Sequence, residues 1–306
     1  MKVGIPKGLL YYKYYPFLQS FFGKLGAEII TSPETNSEIL NLGVRHCVDE
    51  ACLPVKIFHG HVAAIKDHCD MVVIPRIMQI RPREFICPKF CGLPEMVLNS
   101  LPQMPPVTTA PIYATSPQNL YRWAEKSGKM ITNNKGRIQE AFLYAWQKQK
   151  QFTSGYQDKG YSLNVALVGH PYNLYDSYIN MNLIKKLHRM GVGVITEEAV
   201  PEENIAAEVK ELYKRPFWTF ARNSYGFAVH IAKTAQVNGI IYISSFACGI
   251  DSVVVELIKN KLGDYPLLII KLDEHTGEAG LDTRVEAFIE MIERSIRLEN
   301  NLSAHG

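Results

Sequence analysis

Apolar positions recur along this chain in two alternating rhythms. Residues 2–6, KVGIP, form a short apolar run that reads as a buried strand ending in a loop. From Leu9 to Leu25 the spacing lengthens, and Leu10, Tyr14, Phe17, Leu18, Phe21, Phe22 and Leu25 share one broad helical face. Gly26 supplies the C-terminal cap and Ala27 to Thr31 the next strand. Strand, helix and strand in that order predict a β-α-β unit of a parallel sheet.

The same rhythm returns at Asn164. Val165 to Val168 is a strand, Gly169-His170-Pro171 a turn, Tyr178 to Met190 a helix, Gly191 its cap and Val192 to Thr196 a strand. A shift of 165 positions lays Pro6 on Pro171, Leu18 on Leu183, Gly26 on Gly191, Ile30 on Ile195 and Thr31 on Thr196 without a gap. Coincidence of turn, cap and strand end predicts two related α/β domains. The polar stretch Asn119 to Gln151 reads as mostly helical, and Thr153 to Gly160, with two glycines, as a boundary. The expected domains are therefore 1–155, with a helical extension, and 156–306. A looser repeat joins Cys91-Gly92-Leu93-Pro94 to Cys248-Gly249-Ile250-Asp251. The latter lies between a strand, Gly239 to Ser244, and a helix reaching about Lys261, where open α/β sheets bind ligands. A strand at Pro266 to Leu272, an acidic loop, a helix from Leu281 to Leu298 and a polar, frayed tail complete the chain.

Charge narrows the functional classes. With 33 basic and 30 acidic residues in 306, the net charge is +3, so no nucleic-acid or membrane surface is expected. The longest apolar runs are strand-sized, and Lys7 and Lys13 interrupt any signal-like segment. A cytoplasmic location is expected, where disulfides are rare. The six cysteines are then thiols, core residues or metal ligands.

Cys52 stands before Leu53-Pro54, a good first helical turn, so its sulfur is expected at a helix N-terminus that favours a thiolate. Cys87, Cys91 and Cys248, each beside Pro or Gly, look built the same way, and the four together are candidate ligands of one iron–sulfur cluster. Small buried hydrophobes are the simpler reading of each, and a four-cysteine zinc site is the rival metal. Zinc sites usually draw ligands in close pairs, and there is no C-x-x-C here. Cys47 and Cys69 fit core packing better. His59 and His61, at i and i+2, face different sides of a helix and are not expected to share a metal. His170, on the second turn, is a candidate proton shuttle or ligand contact, as is Glu278 in the acidic loop; a satisfied turn histidine and a solvated loop are the plain alternatives. Lys89 is placed to favour a neighbouring thiolate or to be a surface lysine. No P-loop or G-x-G-x-x-G motif follows a strand.

The blocks DEACLPVKIFHGHV, VVIPRI, FICPKFCGLPEMV, GHPYNLYDSYINMNLIKKL, IIYISSFACGIDS and LDEHTGEAGLDTRVEAFI resemble those of the acyl-CoA dehydratase activase-related proteins. These are relatives of the cluster-bearing subunits of 2-hydroxyacyl-CoA dehydratases, benzoyl-CoA reductases and double-cubane cluster proteins. The resemblance implies two flavodoxin/Rossmann-like domains holding a [4Fe–4S] cluster, a larger double-cubane type being the lesser alternative. It implies low-potential electron transfer or reductive chemistry on a small or CoA-linked substrate in anaerobic metabolism. Electrons would come from a separate ATP-hydrolysing activase, since the chain shows no nucleotide-binding domain of its own; cluster proteins of this kind often form homodimers, although the sequence gives no oligomeric state. Cys52, Cys87 and Cys248 match the family pattern, whereas related chains often carry an apolar residue at Cys91. A non-catalytic electron or cluster carrier and a zinc-stabilised binding module remain the competing functions.

Overall fold

The computed structural model describes residues 1–303, with side chains to residue 298. The chain divides into two units, Met1–Ser154 with Pro216–Arg222, and Gly155–Arg215 with Asn223–Gly306.

In the first unit the apolar run at the start becomes β1 (Lys2–Ile5), followed by α1 (Tyr11–Lys24) and β2 (Glu28–Thr31). β1 pairs in parallel with β2 on one side and with β3 (Met71–Val72) on the other, and Val107 continues the sheet beyond β3 as a parallel bridge to Val72. Val3 and Ile5 are buried, while Gly4 leaves room for the Cys69 sulfur, 2.7 Å from where a Cβ would stand. Between the strands lie α2 (Ser37–His46) and α3 (Leu53–Ile65). These two helices touch backbone to backbone, Gly43 against Lys56 and Gly60 against Ile39, and nearly every residue of α3 is buried. A helix buried on nearly every side belongs inside a core, here with Lys56, His59 and His61 among its buried residues.

A second parallel pair, β4 (Arg76–Gln79) and β5 (Pro111–Tyr113), brackets α4 (Pro88–Cys91) and α5 (Leu93–Ser100). The polar link is helical, as α6 (Pro117–Gly128) and α7 (Lys135–Gln151), the latter packed on α1. The strap Pro216–Arg222 joins this unit through a parallel bridge between Phe85 and Trp218, stacking of Phe85 on Phe217 and a buried ion pair of Arg222 with Glu84 at 3.2 Å.

The second unit is one four-stranded parallel sheet in the order β7-β6-β8-β9, from β6 (Leu163–Gly169), β7 (Val192–Ile195), β8 (Gly239–Ser245) and β9 (Leu267–Leu272). β6 and β8 are buried almost throughout, as central parallel strands with covered faces should be. The remaining helices are α8 (Pro171–Tyr175), α9 (Leu183–Arg189), α10 (Glu202–Val209), α11 (Thr219–Lys233), α12 (Gly249–Leu262) and α13 (Glu278–Ser303). Both units thus carry the parallel α/β arrangement that the strand rhythm predicts.

The expected single helix from Tyr178 to Met190 is broken. Asp176 Oδ1 accepts from the N–H groups of Tyr178 and Ile179, and Asn180 Oδ1 from that of Leu183. Met181 and Asn182 consequently sit at φ +53° and +56°. Short polar side chains compete for backbone N–H groups in this way, and helical spacing of apolar residues does not reveal it. The closing helix runs past Leu298 to Ser303, and the last part of the expected frayed tail, 304–306, lies outside the described residues.

Candidate metal centre

In the second unit the sheet order makes the carboxyl edge of β6 and β8 the point where successive connections leave to opposite sides, the usual ligand crevice of such sheets. β6 ends on Gly169 at φ +148°, against the carbonyl of Ile243, where any Cβ would clash with backbone. His170 follows as the N-cap of α8 and Pro171 starts that helix. β8 turns through Ala247, held at φ +61°, so that Cys248 becomes the N-cap of α12. Asp251 lies in that helix's first turn, where the dipole favours negative charge.

These connections bring a nitrogen, a sulfur and an oxygen together. The ligand atoms of His170, Cys248 and Asp251 all lie within 4.8 Å of one another. Asp251 Oδ1 accepts from the Tyr242 hydroxyl at 2.8 Å and lies 3.2 Å from His170 Nε2. His170 Nδ1 meets the Tyr172 hydroxyl at 2.5 Å, and the Ser245 hydroxyl donates to Asn173 Oδ1 at 3.0 Å. His170, Asp251, Asn173 and Tyr242 are essentially buried. Burial, followed by the Asp251 carboxylate, pushes the Tyr242 phenol well above its ordinary value, so it acts as a donor. The buried atoms Asp251 Oδ2 and Asn173 Nδ2 have no hydrogen-bond partner among the described residues. Buried polar atoms are nearly always satisfied, so these two are open to a bound group or to water. A histidine, thiolate and carboxylate set suits a borderline divalent metal, and the thiolate suits iron–sulfur chemistry.

The first unit holds the other cysteines. Cys52 is the N-cap of α3 with Pro54 in the first turn, and Cys87 is the N-cap of α4. Neither sulfur makes a capping hydrogen bond. Cys91 closes α4, just before Gly92 caps α5. All six cysteines are half-buried thiols. Cys47 ends α2 rather than packing inside it. Burial pushes its thiol up; Lys56 and Lys89 oppose the rise and Cys52 adds to it, so these four groups share one neighbourhood. Cys69 packs on Gly4, and burial raises its thiol too.

His170, Cys248 and Asp251 all belong to the second unit, and Cys52, Cys87 and Cys91 to the first. Glu278 lies elsewhere on the second unit, exposed and ion-paired with Lys186 at 2.7 Å, and Asp282 shares that lysine. Asp273 accepts from the His275 N–H and the Thr276 hydroxyl, which hold its carboxyl below the usual range. His59 and His61 have separate surroundings. His59 Nδ1 meets the Val55 carbonyl, and His61 lies between the hydroxyls of Ser32 and Thr35. Reasoning from the sequence overlooked Asp251, Tyr242 and Tyr172. An acid three residues after a cysteine that follows a strand, and a tyrosine inside an otherwise aliphatic strand, were the available signals.

A parallel α/β arrangement in both units, with a histidine, a cysteine and an aspartate grouped at a strand-end crevice of the second, describes an α/β protein with a candidate metal-binding group. Residues 2–200 match the family model described as CoA enzyme activase uncharacterised domain, more than half of the 306-residue chain, and the protein belongs to that family. Residues 180–292, which include Tyr242, Cys248 and Asp251, match 2-hydroxyglutaryl-CoA dehydratase, D-component. Both matches bear out the resemblance drawn from the sequence blocks. No curated protein matches the chain. No helix among the described residues is long and apolar enough to cross a membrane.

Proposed function

We propose that this protein is an iron–sulfur component related to the 2-hydroxyacyl-CoA dehydratases, working in the cytoplasm with an ATP-hydrolysing activase as electron donor. Cys248, with Cys52, Cys87 and Cys91, would hold a [4Fe–4S] cluster. The observation that carries this reading is Cys248 at the N-cap of α12, beside a buried Asp251 oxygen that lacks a partner. Cys52 and Cys87 occupy the same N-cap position in their own helices. The dipole of the 13-residue α3 and the 14-residue α12 favours an anionic sulfur, while α4, at four residues, adds little beyond its N–H groups. When bound, such a cluster supplies low-potential one-electron chemistry, and with three thiolate ligands it keeps one iron open to a small or CoA-linked substrate. The chain's own groups orient and hold protons. Tyr242 donates to Asp251 Oδ1, and His170 sits between Asp251 and the Tyr172 hydroxyl, where a proton at Nδ1 or Nε2 can be held or passed on.

Anaerobic purification with iron, sulfide and zinc analysis and electron paramagnetic resonance tests this reading. Iron and acid-labile sulfide should appear together in the native protein, vanish together in Cys248→Ala, and fall in Cys52→Ala and Cys87→Ala. Cys91→Ala separates three from four thiolate ligands, and so an open iron from an outer-sphere carrier.

A single divalent ion is the second reading, favoured by the mixed nitrogen, sulfur and oxygen group itself. Colourless protein with stoichiometric zinc that is lost in both His170→Ala and Asp251→Asn, but kept in Cys52→Ala, would establish it and remove the cluster.

A further inference from the structure

The first unit contains a cavity of about 240 Å³ that plays no part in the metal chemistry. Its floor is buried and apolar, with Ile5, Phe58, Ile112, Leu120 and Trp123. Its mouth is made by half-buried Tyr11, Tyr14, Ile80, Ala114, Trp146 and Gln149. The cavity opens where β1, β4 and β5 end, the edge at which parallel sheets receive ligands. Packed interiors carry few voids larger than a water molecule. Water does not settle in apolar space that lacks two to four polar partners, and an apolar void of roughly 150 Å³ is enough to admit benzene.

Local structure keeps this space open. Pro16 interrupts the hydrogen-bond ladder of α1, and the Gln149 side chain enters the gap. Gln149 Oε1 accepts from the Phe17 N–H at 3.2 Å and its amide donates to the Lys13 carbonyl at 2.9 Å. Both polar ends of Gln149 are thereby used within α1. The Tyr11 hydroxyl accepts from Gln19 at 3.0 Å. Trp123 is different. It lines the cavity, is 1% exposed, and its Nε1–H has no hydrogen-bond partner among the described residues. A buried indole N–H normally finds an acceptor.

We propose that this cavity is a binding site for an uncharged aromatic ring bearing one neutral acceptor, with the ring against Phe58 and Trp123 and the acceptor taking the Trp123 N–H. Aromatic walls favour a ring through edge-to-face contact, and among the described residues no charged side chain lines the space to compensate an ion. The inference stands apart from the metal centre, because its test needs neither iron nor sulfide.

Thermal unfolding and tryptophan emission of the full chain, measured with acetophenone, ethylbenzene and benzoate, provide that test. Both neutral ligands should raise the unfolding temperature and shift the emission, acetophenone at several-fold lower concentration, while benzoate does neither. Trp123→Phe should remove the advantage of acetophenone over ethylbenzene. Ala114→Phe, which fills the mouth, should weaken both neutral ligands by roughly tenfold or more without lowering the ligand-free unfolding temperature. Ile80→Trp serves the same purpose should Ala114→Phe fail to fold. No shift with either neutral ligand, equal binding of benzoate, or unchanged binding in the mouth-filling variants would overturn the site. Equal binding of acetophenone and ethylbenzene would overturn the role of the Trp123 N–H.

Discussion

The two β-α-β openings of this protein begin from nearly the same pattern and finish with different chemistry at the strand tip. In the first unit β1 and β2 end flush, with Ile5 opposite Thr31. In the second, β7 pairs only with the first four residues of β6, and the last three, Leu167 to Gly169, pair with β8 alone. Paired residues are 26 apart in the first copy (Lys2 with Glu28) and 29 apart in the second (Leu163 with Val192). Three extra residues of β6 therefore carry His170 past the end of β7. At the equivalent position, the first copy has Ile5, which lines an apolar cavity. The lesson is physical. A three-residue change of register separates a strand tip that lines an apolar cavity from one that carries a buried polar network.

The largest effect expected from breaking this contrast lies in the first unit. Glu84→Gln leaves the Arg222 guanidinium buried without its carboxylate and should cost about 3–5 kcal/mol, read by chemical denaturation. A loss within the range of about 0–1 kcal/mol typical of exposed pairs would mean that the aromatic strap alone anchors this segment.

A matched pair of substitutions probes the strand tips directly, since Gly4 and Gly169 hold corresponding places in the repeat. Gly169→Ala drives a Cβ into the Ile243 carbonyl at φ +148° and should cost about 3 kcal/mol or more. Gly4→Ala meets side-chain atoms of Cys69, Ile65 and Val72, which can move, and should cost about 1 kcal/mol. Equal losses in thermal denaturation would show that the crowded edge of β6 and β8 is not what distinguishes the second unit.

A buried histidine of the first unit sharpens the comparison further. Burial, with the Lys7 charge behind it, pushes His61 down to about 3 from 6.5, so the folded protein binds a proton there far less readily than the unfolded chain. Stability from this group is present in full above pH 6.5 and is lost as the pH falls from there towards about 3. His61→Gln should flatten that part of the pH–stability curve relative to the native chain. An unchanged slope would place the acid sensitivity elsewhere.

Tyr242→Phe changes the fewest atoms. It removes the hydroxyl that donates to buried Asp251 and should cost about 1.5–3 kcal/mol of stability; with Asp251 as a ligand it should also weaken metal binding by roughly 10- to 100-fold, because the carboxylate loses the group that orients it. Metal titration of the native and variant proteins separates the two quantities, and unchanged affinity would exclude Asp251 as a ligand.

Much of this molecule was legible in its residues. Apolar spacing located β1, α1, β2, β6, β8, α12 and β9 to within a few positions, because a strand or helix buried on one side must repeat its apolar residues at the period of its backbone. Proline after Cys52, and glycine after Cys248, placed both cysteines at helix starts for reasons local to a few residues. The break between α8 and α9 was hidden, since Asp176 and Asn180 act through their own backbone and leave the apolar spacing intact.

What the chain determines by itself, then, is its elements and the ends at which its chemistry stands. Only the tertiary structure decided that Asp251 and Tyr242 join His170 and Cys248, that Glu278 pairs with Lys186 instead, and that the strand tip at Ile5 encloses an apolar void. Periodicity reports which face of an element is buried. Strand register and the order of strands in a sheet decide which buried faces meet, and these are settled by contacts between residues far apart in sequence.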